Sequence, residues 1–159
     1  MEIRLADMND LSGWVQLVEP MRHLFPGLET EESMKGYARD IAGAISRQEA
    51  LCAVEHGVIC GVLAFSREEN ELAFLAVPEQ YRRRGIARKL AERMFRELDR
   101  SRPVKLITYR AGVLEGEAAR SLYRQLGFCP GALVEVDGSP AQEFLRPAEG
   151  SGQERSGEK

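Results

Sequence analysis

Residues 72–98, LAFLAVPEQYRRRGIARKLAERMFREL, decide the fold. The first six residues are apolar, which is typical of a strand buried on both faces. Pro78 ends that strand because it has no N–H to donate. Beyond Gly85 apolar residues recur at the spacing of one helix face: Ile86, Leu90, Met94 and Leu98. The stretch therefore predicts a buried strand, a basic loop and an amphipathic helix in direct succession.

The turn between this strand and helix predicts a site for a diphosphate. A helix N-terminus leaves amide N–H groups unpaired and carries a partial positive charge, so it attracts phosphate. Gly85 lets an oxyanion approach the backbone closely, and Ala87 keeps a nearby position small. Cationic side chains surround the turn: Arg82, Arg83, Arg84, Arg88 and Lys89. The turn matches neither the P-loop nor the three-glycine dinucleotide fingerprint.

Strands are predicted on both sides of this stretch. They cover residues 2–5, 51–55, 58–65, 104–109, 133–136 and 142–145, with hairpin turns at His56-Gly57 and Asp137-Gly138. Helices are predicted from Leu11 to a break at Pro20, after an N-cap at Thr30, and from Ala118 to a stop at Gly127. The order is β-α-α-β-β-β-α-β-α-β-β. Hairpins mixed with strand–helix–strand crossovers indicate an α/β domain with a mixed sheet, not a doubly wound parallel one.

The charge is unevenly distributed. The 159 residues contain 22 Lys and Arg against 25 Asp and Glu, a formal charge of −3. Residues 82–100 alone hold eight Lys or Arg and three Asp or Glu, a local charge of +5, so the remainder carries −8. The overall acidity argues against a protein built mainly to coat nucleic acid.

The composition argues against several classes of protein. Three cysteines without paired spacing favour a reducing, cytoplasmic setting over a disulfide framework. Two separated histidines give no metal-binding spacing, so no metal is predicted. There is no signal-like or membrane-spanning apolar run, and a membrane partner is not expected. Residues 147–159 have no large apolar side chain and are predicted to be a disordered tail behind a single domain, 1–146.

Two motifs resemble those of one enzyme superfamily. Residues 82–87, RRRGIA, resemble the Q/R-x-x-G-x-G/A acetyl-CoA motif of the GNAT (Gcn5-related) N-acetyltransferases, and LAFLAVPEQY looks like that family's central strand and its exit. Residues 121–128, SLYRQLGF, resemble the family's LYxxLGF signature. The spacing of the motifs and the element order also match. The resemblance implies the GNAT acyl-CoA N-acyltransferase fold over about residues 1–146.

The resemblance implies roles for individual residues. The backbone at the end of the central strand would pair with the pantetheine arm of acetyl-CoA, here Leu75, Ala76 and Val77. The cofactor's diphosphate would lie against the motif residues Arg82, Arg83, Arg84, Gly85, Ile86, Ala87 and Arg88. Tyr123 matches the family's usual general acid, and Glu71 stands where histone-type members place a base that acts directly or through water. Many members carry Asn seven residues before the tyrosine, where this chain has Gly116.

The implied function is an acetyl-CoA-dependent N-acetyltransferase in which a primary amine attacks directly within a ternary complex. The acceptor would be an amine-bearing small molecule or peptide, and the terminal strands would allow a homodimer. Acidic residues in the N-terminal third, Glu29, Glu31, Glu32 and Asp40, are compatible with a cationic acceptor but are more typical of a solvated acidic helix face. The spacing of Trp14, Tyr37 and Tyr109 is more typical of core than of an acceptor pocket.

Two alternatives come from other classes of protein. A catalytically silent acyl-CoA-binding regulatory domain is consistent with Gly116 at the position of the usual Asn. A nucleic-acid-binding module would use the basic residues 82–100, but no aromatic stacking residues accompany those arginines.

Overall fold

One seven-stranded sheet organises residues 1–150, the part of the chain that this computed structural model describes. Its strands are β1 (Glu2–Leu5), β2 (Ala50–Glu55), β3 (Val58–Ser66), β4 (Glu71–Ala76), β5 (Val104–Thr108), β6 (Cys129–Val136) and β7 (Ser139–Arg146). Their order across the sheet is β1-β2-β3-β4-β5-β7-β6. The β4–β5 pair is parallel and every other neighbouring pair is antiparallel. The prediction of an α/β fold with a mixed sheet is confirmed.

Four α-helices connect the strands in the predicted order. They are α1 (Leu11–Val18), α2 (Glu31–Ser46), α3 (Ile86–Glu97) and α4 (Glu117–Gln125). Pro20 lies in a short 3-10 helix directly after α1, where its ring ends the α-helical hydrogen bonding. Thr30 caps α2, since its hydroxyl accepts the backbone N–H of Ser33 at 3.0 Å.

The helices cover the two faces of the sheet and form two cores. On the first face α3 and α4 pack through Leu90, Met94, Tyr123 and Leu126 against Leu51, Leu63 and Phe144 of the strands. On the second face α1 and α2 pack through Trp14, Val18, Ile41 and Ile45 against Cys52, Val62 and Ala76. Successive residues of β2 and β3 therefore enter opposite cores, as the two-residue period of a strand requires.

The central strand β4 departs from the prediction that residues 72–77 are buried on both faces. Leu72 and Ala76 are buried, but Ala73 is exposed and Phe74 is half-buried. Ala73 is also an extra residue in the ladder, because Phe65 pairs with Leu72 while the preceding residue of β3 pairs with Phe74. Such a bulge bends the strand locally. The prediction was wrong because β5 diverges from β4 and leaves one edge of β4 uncovered.

Strands β4 and β5 are joined at one end only. Glu71 and Lys105 form the single registered pair between them. The fully buried Asn70 reinforces this joint: its Oδ1 accepts the N–H of Asp99 at 2.9 Å, and its amide group donates to three backbone carbonyls of the loop between α3 and β5. The N–H of Lys105 also donates to the Asn70 carbonyl at 3.1 Å. From this joint onward the two strands separate.

The predicted two-residue hairpins are present at both positions. His56 and Gly57 have φ of 52° and 77°, and Asp137 and Gly138 have φ of 50° and 80°. Positive φ at both central residues matches the twist of the flanking strands. The last hairpin is longer than predicted, since β6 and β7 together span 129–146.

The end of the chain is described as far as residue 150. Glu149 donates its N–H to the carbonyl of Arg100 at 2.9 Å. The rest of the predicted disordered tail, 151–159, lies outside the described residues. Within the described range no helix is both long enough and apolar enough to span a lipid bilayer.

Candidate active site

The separation of β4 from β5 opens a cleft of about 980 Å³ through the sheet. Its basic end, on the α3–α4 face, is lined by Arg82, Arg83, Gly85, Arg88 and Tyr123. Its apolar end, on the α1–α2 face, is lined by Met21, Leu24, Phe25, Pro26, Leu28, Tyr37 and Phe74. The two ends therefore offer different chemistry to a molecule that passes between the strands.

The start of α3 presents free backbone donors to the basic end. The amides of residues 85–88 donate to no acceptor within residues 1–150, as expected for the first turn of a helix. Gly85 precedes the helix with φ of 74°, a left-handed conformation that favours glycine. A Cβ at Gly85 would meet no atom within 4 Å, so the space beside this amide is open. This geometry suits a phosphate group.

The predicted arginines fall into two groups. Arg82, Arg83 and Arg88 line the cleft, where their charges add to the partial positive charge of the helix end. Arg84 lies outside that lining and contacts Glu55 at 3.6 Å. Its guanidinium lies over the ring of Tyr81, so the expectation that no aromatic residue accompanies these arginines was wrong.

The open edge of β4 forms one wall of the cleft. Leu75, Ala76 and Val77 line it, and beyond the joint with β5 no strand within the described chain pairs with their free side. The carbonyl of Val77 accepts a hydrogen bond from Nε of Arg82 at 3.1 Å. A ligand that extends along this edge therefore competes with Arg82 for the last carbonyl.

Tyr123 lies at the junction of the cleft and the first core. Its side chain is 8% exposed and meets the rings of Phe128 and Phe144 edge-on, with centroids 6.0 and 6.3 Å away. No described residue hydrogen-bonds to its hydroxyl, and the residue lines the cleft. Burial raises the pKa of Tyr123 to about 12. The hydroxyl is thus protonated at neutral pH and free to donate to a ligand.

Glu71 is the carboxylate at the joint of the two strands. It is half-buried and lines the cleft. Burial raises the pKa of Glu71, with smaller upward contributions from Glu69 and Glu143, while nearby Lys105 opposes the shift. A carboxylate with a raised pKa is a stronger base than one in water. The structure thus brings both predicted catalytic residues, Glu71 and Tyr123, to one cleft.

The family profile described as "Acetyltransferase (GNAT) domain" matches residues 46–130, more than half of the chain. The chain belongs to the GNAT acetyltransferase family. The matched range runs from the end of α2 through β2, β3, β4, α3, β5 and α4, so it contains both motifs and the basic end of the cleft. No curated protein sequence gives a significant match.

Solved structures share the fold of this GNAT domain at low sequence identity. An N-acetyltransferase from Staphylococcus aureus Mu50 has a TM-score of 0.73 and 16% identity, covering 91% of this chain and 100% of its own. The ribosomal-protein-S18-alanine N-acetyltransferase of Escherichia coli has a TM-score of 0.66 and 23% identity, with coverages of 92% and 93%. A chain of the NatC complex, solved with Gag peptide and CoA, has a TM-score of 0.68 and 20% identity, with coverages of 92% and 99%.

The position of Tyr109 in this GNAT domain explains why residue 116 is a glycine. A Cβ at Gly116 would overlap the Cβ and ring of Tyr109, so the position excludes any larger side chain unless Tyr109 moves. Tyr109 in turn lines the cleft, and its hydroxyl donates to the carbonyl of Leu24. The aromatic ring therefore occupies the space that an asparagine at 116 would need.

The aromatic residues at the apolar end were not identified from the sequence. Tyr37 and Tyr109, expected in the core, line the cleft, whereas Trp14 is fully buried and donates its Nε1–H to the Tyr37 hydroxyl at 2.8 Å. The sequence did not indicate that Phe25 and Phe74 line a cleft. Helix and strand periodicity predict which residues are buried, but not which side chains a buried ring contacts. Among residues 1–150, no three His, Cys, Asp or Glu side chains form a group that could hold a metal ion.

Proposed function

We propose that this chain is an acetyl-CoA-dependent N-acetyltransferase that acetylates a primary amine by direct attack within a ternary complex. The observation that carries the proposal is the continuity of the open β4 edge with the free amides of residues 85–88. Together they offer main-chain partners for an amide-containing arm and then donors for its diphosphate. Membership of the GNAT family supports the same assignment.

The residues present fit CoA. The amides of residues 85–88, with Arg82, Arg83 and Arg88, would hold the diphosphate by charge-assisted hydrogen bonds. The backbone of Leu75, Ala76 and Val77 would pair with the pantetheine arm in the manner of an added strand. Arg82 would leave the Val77 carbonyl and turn toward the phosphates. One related fold, in the NatC complex, was solved with CoA bound.

Acetyl-CoA supplies an activated acetyl thioester to an amine that must first be neutral. Deprotonating an alkylammonium of pKa near 10.4 costs about 4 kcal/mol at pH 7.4. Glu71 would take this proton directly or through water, and its raised pKa suits the role. A free β4 amide in residues 75–77 would stabilise the negative charge that develops on the carbonyl oxygen.

Tyr123 would act on the departing sulfur as a hydrogen-bond donor. A phenol of pKa about 12 is a weaker acid than a thiol of pKa near 8.5. Complete proton transfer from the phenol to the thiolate would therefore be unfavourable. A hydrogen bond from Tyr123 would stabilise the departing thiolate without that proton transfer.

Thermal unfolding in the presence of CoA tests the proposal. A ligand at 100 times its Kd stabilises the folded state by about 2.7 kcal/mol, so millimolar CoA is expected to raise the Tm by several degrees. Gly85→Val is expected to abolish the shift, because a branched side chain at φ of 74° distorts the turn and covers the amides. Gly57→Val is the matched control, since Gly57 has φ of 77° and open surroundings but lies in the β2–β3 hairpin. A wild-type Tm unchanged by millimolar CoA contradicts the proposal.

A catalytically silent acyl-CoA-binding domain is the second candidate, and the packing of Tyr109 on Gly116 favours it. That candidate predicts CoA-dependent stabilisation with no release of free thiol from acetyl-CoA in the presence of a broad amine panel. Release of free CoA thiol from acetyl-CoA with any amine would support the transferase and contradict the silent binding domain.

A further inference from the structure

We propose that the acceptor is a single primary amine carried next to a bulky apolar group, aromatic or branched aliphatic. The inference rests on the proposed function and names the acceptor class for the same cleft. It follows from the contrast between the two ends of the cleft, because the end opposite the diphosphate donors is where an acceptor would enter.

The apolar end is built as an aromatic surface. The ring of Phe74 lies 4.5 Å from that of Phe25 and 5.0 Å from that of Tyr37, measured between centroids. These three rings come from β4, α2 and the segment that follows α1, and all three line the cleft. An apolar group that enters here loses water and gains contact with ring faces. The surface thus favours a bulky apolar substituent.

The hydroxyl groups at this end are already bonded to protein. The Tyr37 oxygen accepts the Nε1–H of Trp14 at 2.8 Å, and the Tyr109 hydroxyl donates to the carbonyl of Leu24. Tyr37 keeps its O–H as a donor and the Tyr109 oxygen can still accept, so the two tyrosines offer ring surface with limited hydrogen-bonding capacity. A sugar or another polyhydroxylated acceptor would bury several hydroxyls against these rings with too few compensating hydrogen bonds, which is unfavourable.

The acidic residues that are compatible in sequence with a cationic acceptor do not lie in the cleft. Glu29, Glu31, Glu32 and Asp40 are all outside its lining. Glu29 accepts the N–H of Gly27, Glu31 pairs with Arg22 at 3.3 Å, and Glu32 lies 4.0 Å from Lys35. Glu29, Glu31 and Glu32 thus make local contacts at the protein surface, away from the cleft.

The cleft itself offers little negative charge to a polycation. Among the described residues only two carboxylates line it, Glu71 and Glu115. The pKa of Glu71 is raised, so it suits one amine from which it removes a proton. A polyamine or aminoglycoside would bring several ammonium groups against aromatic rings without matching carboxylates. The small number of carboxylates in the cleft and its aromatic lining thus favour an acceptor with one amine next to one apolar group.

Relative kcat/KM values for a series of acceptors test the inference on the wild-type protein. Phenylalanine amide and leucine amide are expected to exceed glycine amide by at least tenfold, because each methylene in an apolar pocket changes kcat/KM by about 10- to 200-fold. Spermidine and kanamycin are expected to be poorer than either. A flat series, or a preference for spermidine or kanamycin, overturns the inference.

Two further acceptors test whether the amine with its apolar group belongs to a free small molecule or to the N-terminus of a polypeptide. Phenethylamine represents a free small amine, and a tetrapeptide with N-terminal Phe represents a polypeptide. Preference for phenethylamine over ethylamine, or for the Phe peptide over the peptide with N-terminal Gly, supports the inference. The ratio of the two kcat/KM values shows which source the cleft accepts. A tetrapeptide with N-terminal Gly that equals the Phe peptide counts against it.

Phe25→Ala adds a variant whose effect is specific to the apolar substituent. It is expected to lower kcat/KM for phenylalanine amide about tenfold more than kcat/KM for glycine amide, and to retain the CoA-dependent Tm shift. Leu133→Ala is the matched control, because Leu133 is an exposed apolar residue of β6 outside the cleft lining. Equal losses for both amides in Phe25→Ala contradict the role of this ring. If the Phe25→Ala variant does not fold, Phe25→Leu is used in its place for the same comparison.

Failure of the inference is distinguishable from failure of the proposed function. A wild-type protein that binds CoA and acetylates spermidine best overturns the acceptor class alone. One that neither binds CoA nor acetylates any amine overturns the transferase assignment, and this inference with it.

Discussion

The hydroxyl of Tyr123 has no hydrogen-bond partner among residues 1–150, and the residue lines the cleft although its ring is buried between two phenylalanines. Tyr123→Phe removes only that oxygen, so CoA binding and folding are expected to persist while kcat falls by about 100-fold, within the range of a lost catalytic donor. Because burial raises the pKa of Tyr123 to about 12, ionisation of this group should cause no loss of kcat between pH 6 and 10. Steady-state kinetics across that range provide the measurement. A Tyr123→Phe variant with the wild-type kcat would exclude a role of this hydroxyl as a hydrogen-bond donor in the reaction.

Glu71 gives a prediction in which activity and stability move in opposite directions. Burial raises the pKa of Glu71 above its value in the unfolded chain. The protonated form is therefore favoured by folding, and its stabilising contribution is present below the unfolded pKa and lost as pH rises through the folded pKa. Glu71→Gln, which stays neutral, is expected to unfold at a higher Tm than the wild type at pH 7, with a smaller difference near pH 4, and to lose acetylation activity.

Glu68→Gln is the control for this variant, because Glu68 is an exposed residue in the preceding turn and lies outside the cleft lining. It should change neither quantity. A Tm for Glu71→Gln that stays below the wild-type value at pH 7 would show that the partnership with Lys105 outweighs burial.

Single residues also show where sequence reasoning reaches its limit. Gly85 and Tyr123 were predicted because each belongs to a motif whose spacing is local. The interaction of Tyr109 with Gly116 has no such signal, because the two are brought together by the end of β5 and the turn before α4. Likewise the bond from Arg82 to the Val77 carbonyl depends on how the chain turns after β4.

Among the elements, the joint between β4 and β5 depends on Asn70. This fully buried side chain makes four hydrogen bonds to the backbone of the loop between α3 and β5. Asn70→Ala leaves buried donors and acceptors without partners at about 1–3 kcal/mol each. The free energy of unfolding is expected to fall by about 3 kcal/mol or more, measured by urea denaturation.

Asn9→Ala is the matched control for that variant. Asn9 is exposed and its side chain is not the acceptor in its local turn, so a change within about 0.5 kcal/mol is expected. A loss of less than 1 kcal/mol in Asn70→Ala would show that water or neighbouring backbone replaces the amide.

The order of the elements was predictable because strand and helix periodicities are local. Hairpins at His56-Gly57 and Asp137-Gly138 were predictable for the same reason, since two-residue turns have strong residue preferences. The bulge at Ala73 was not, because an apolar run such as LAFLAV gives no register. Asn70 stood in a polar turn and gave no indication of its burial, which depends on a loop about thirty residues later in the chain.

Across the whole molecule, the division of charge corresponds partly to the geometry. The +5 of residues 82–100 includes three arginines that the structure places in or beside the cleft, but Arg93 is held by Glu97 at 3.3 Å. Much of the opposing acidity lies on the surface, outside the cleft. The local excess of positive charge thus coincides with the basic end of the cleft, but the order of strand, basic turn, glycine and helix is what located it. The charge pattern gave no indication of the apolar end, which is lined by aromatic side chains.

The open side of β4 has a consequence for solubility. Unpaired strand edges at the rim of a sheet are templates for pairing with other chains, and proteins usually protect them. Here free backbone groups lie in the middle of the sheet, between β4 and β5 and beneath the helices of both faces. A thin flexible molecule fits that slot more readily than a strand of another protein, which would bring its side chains and its own neighbouring strands against the walls. The fold thereby keeps backbone hydrogen-bonding capacity available to a ligand without exposing it to aggregation.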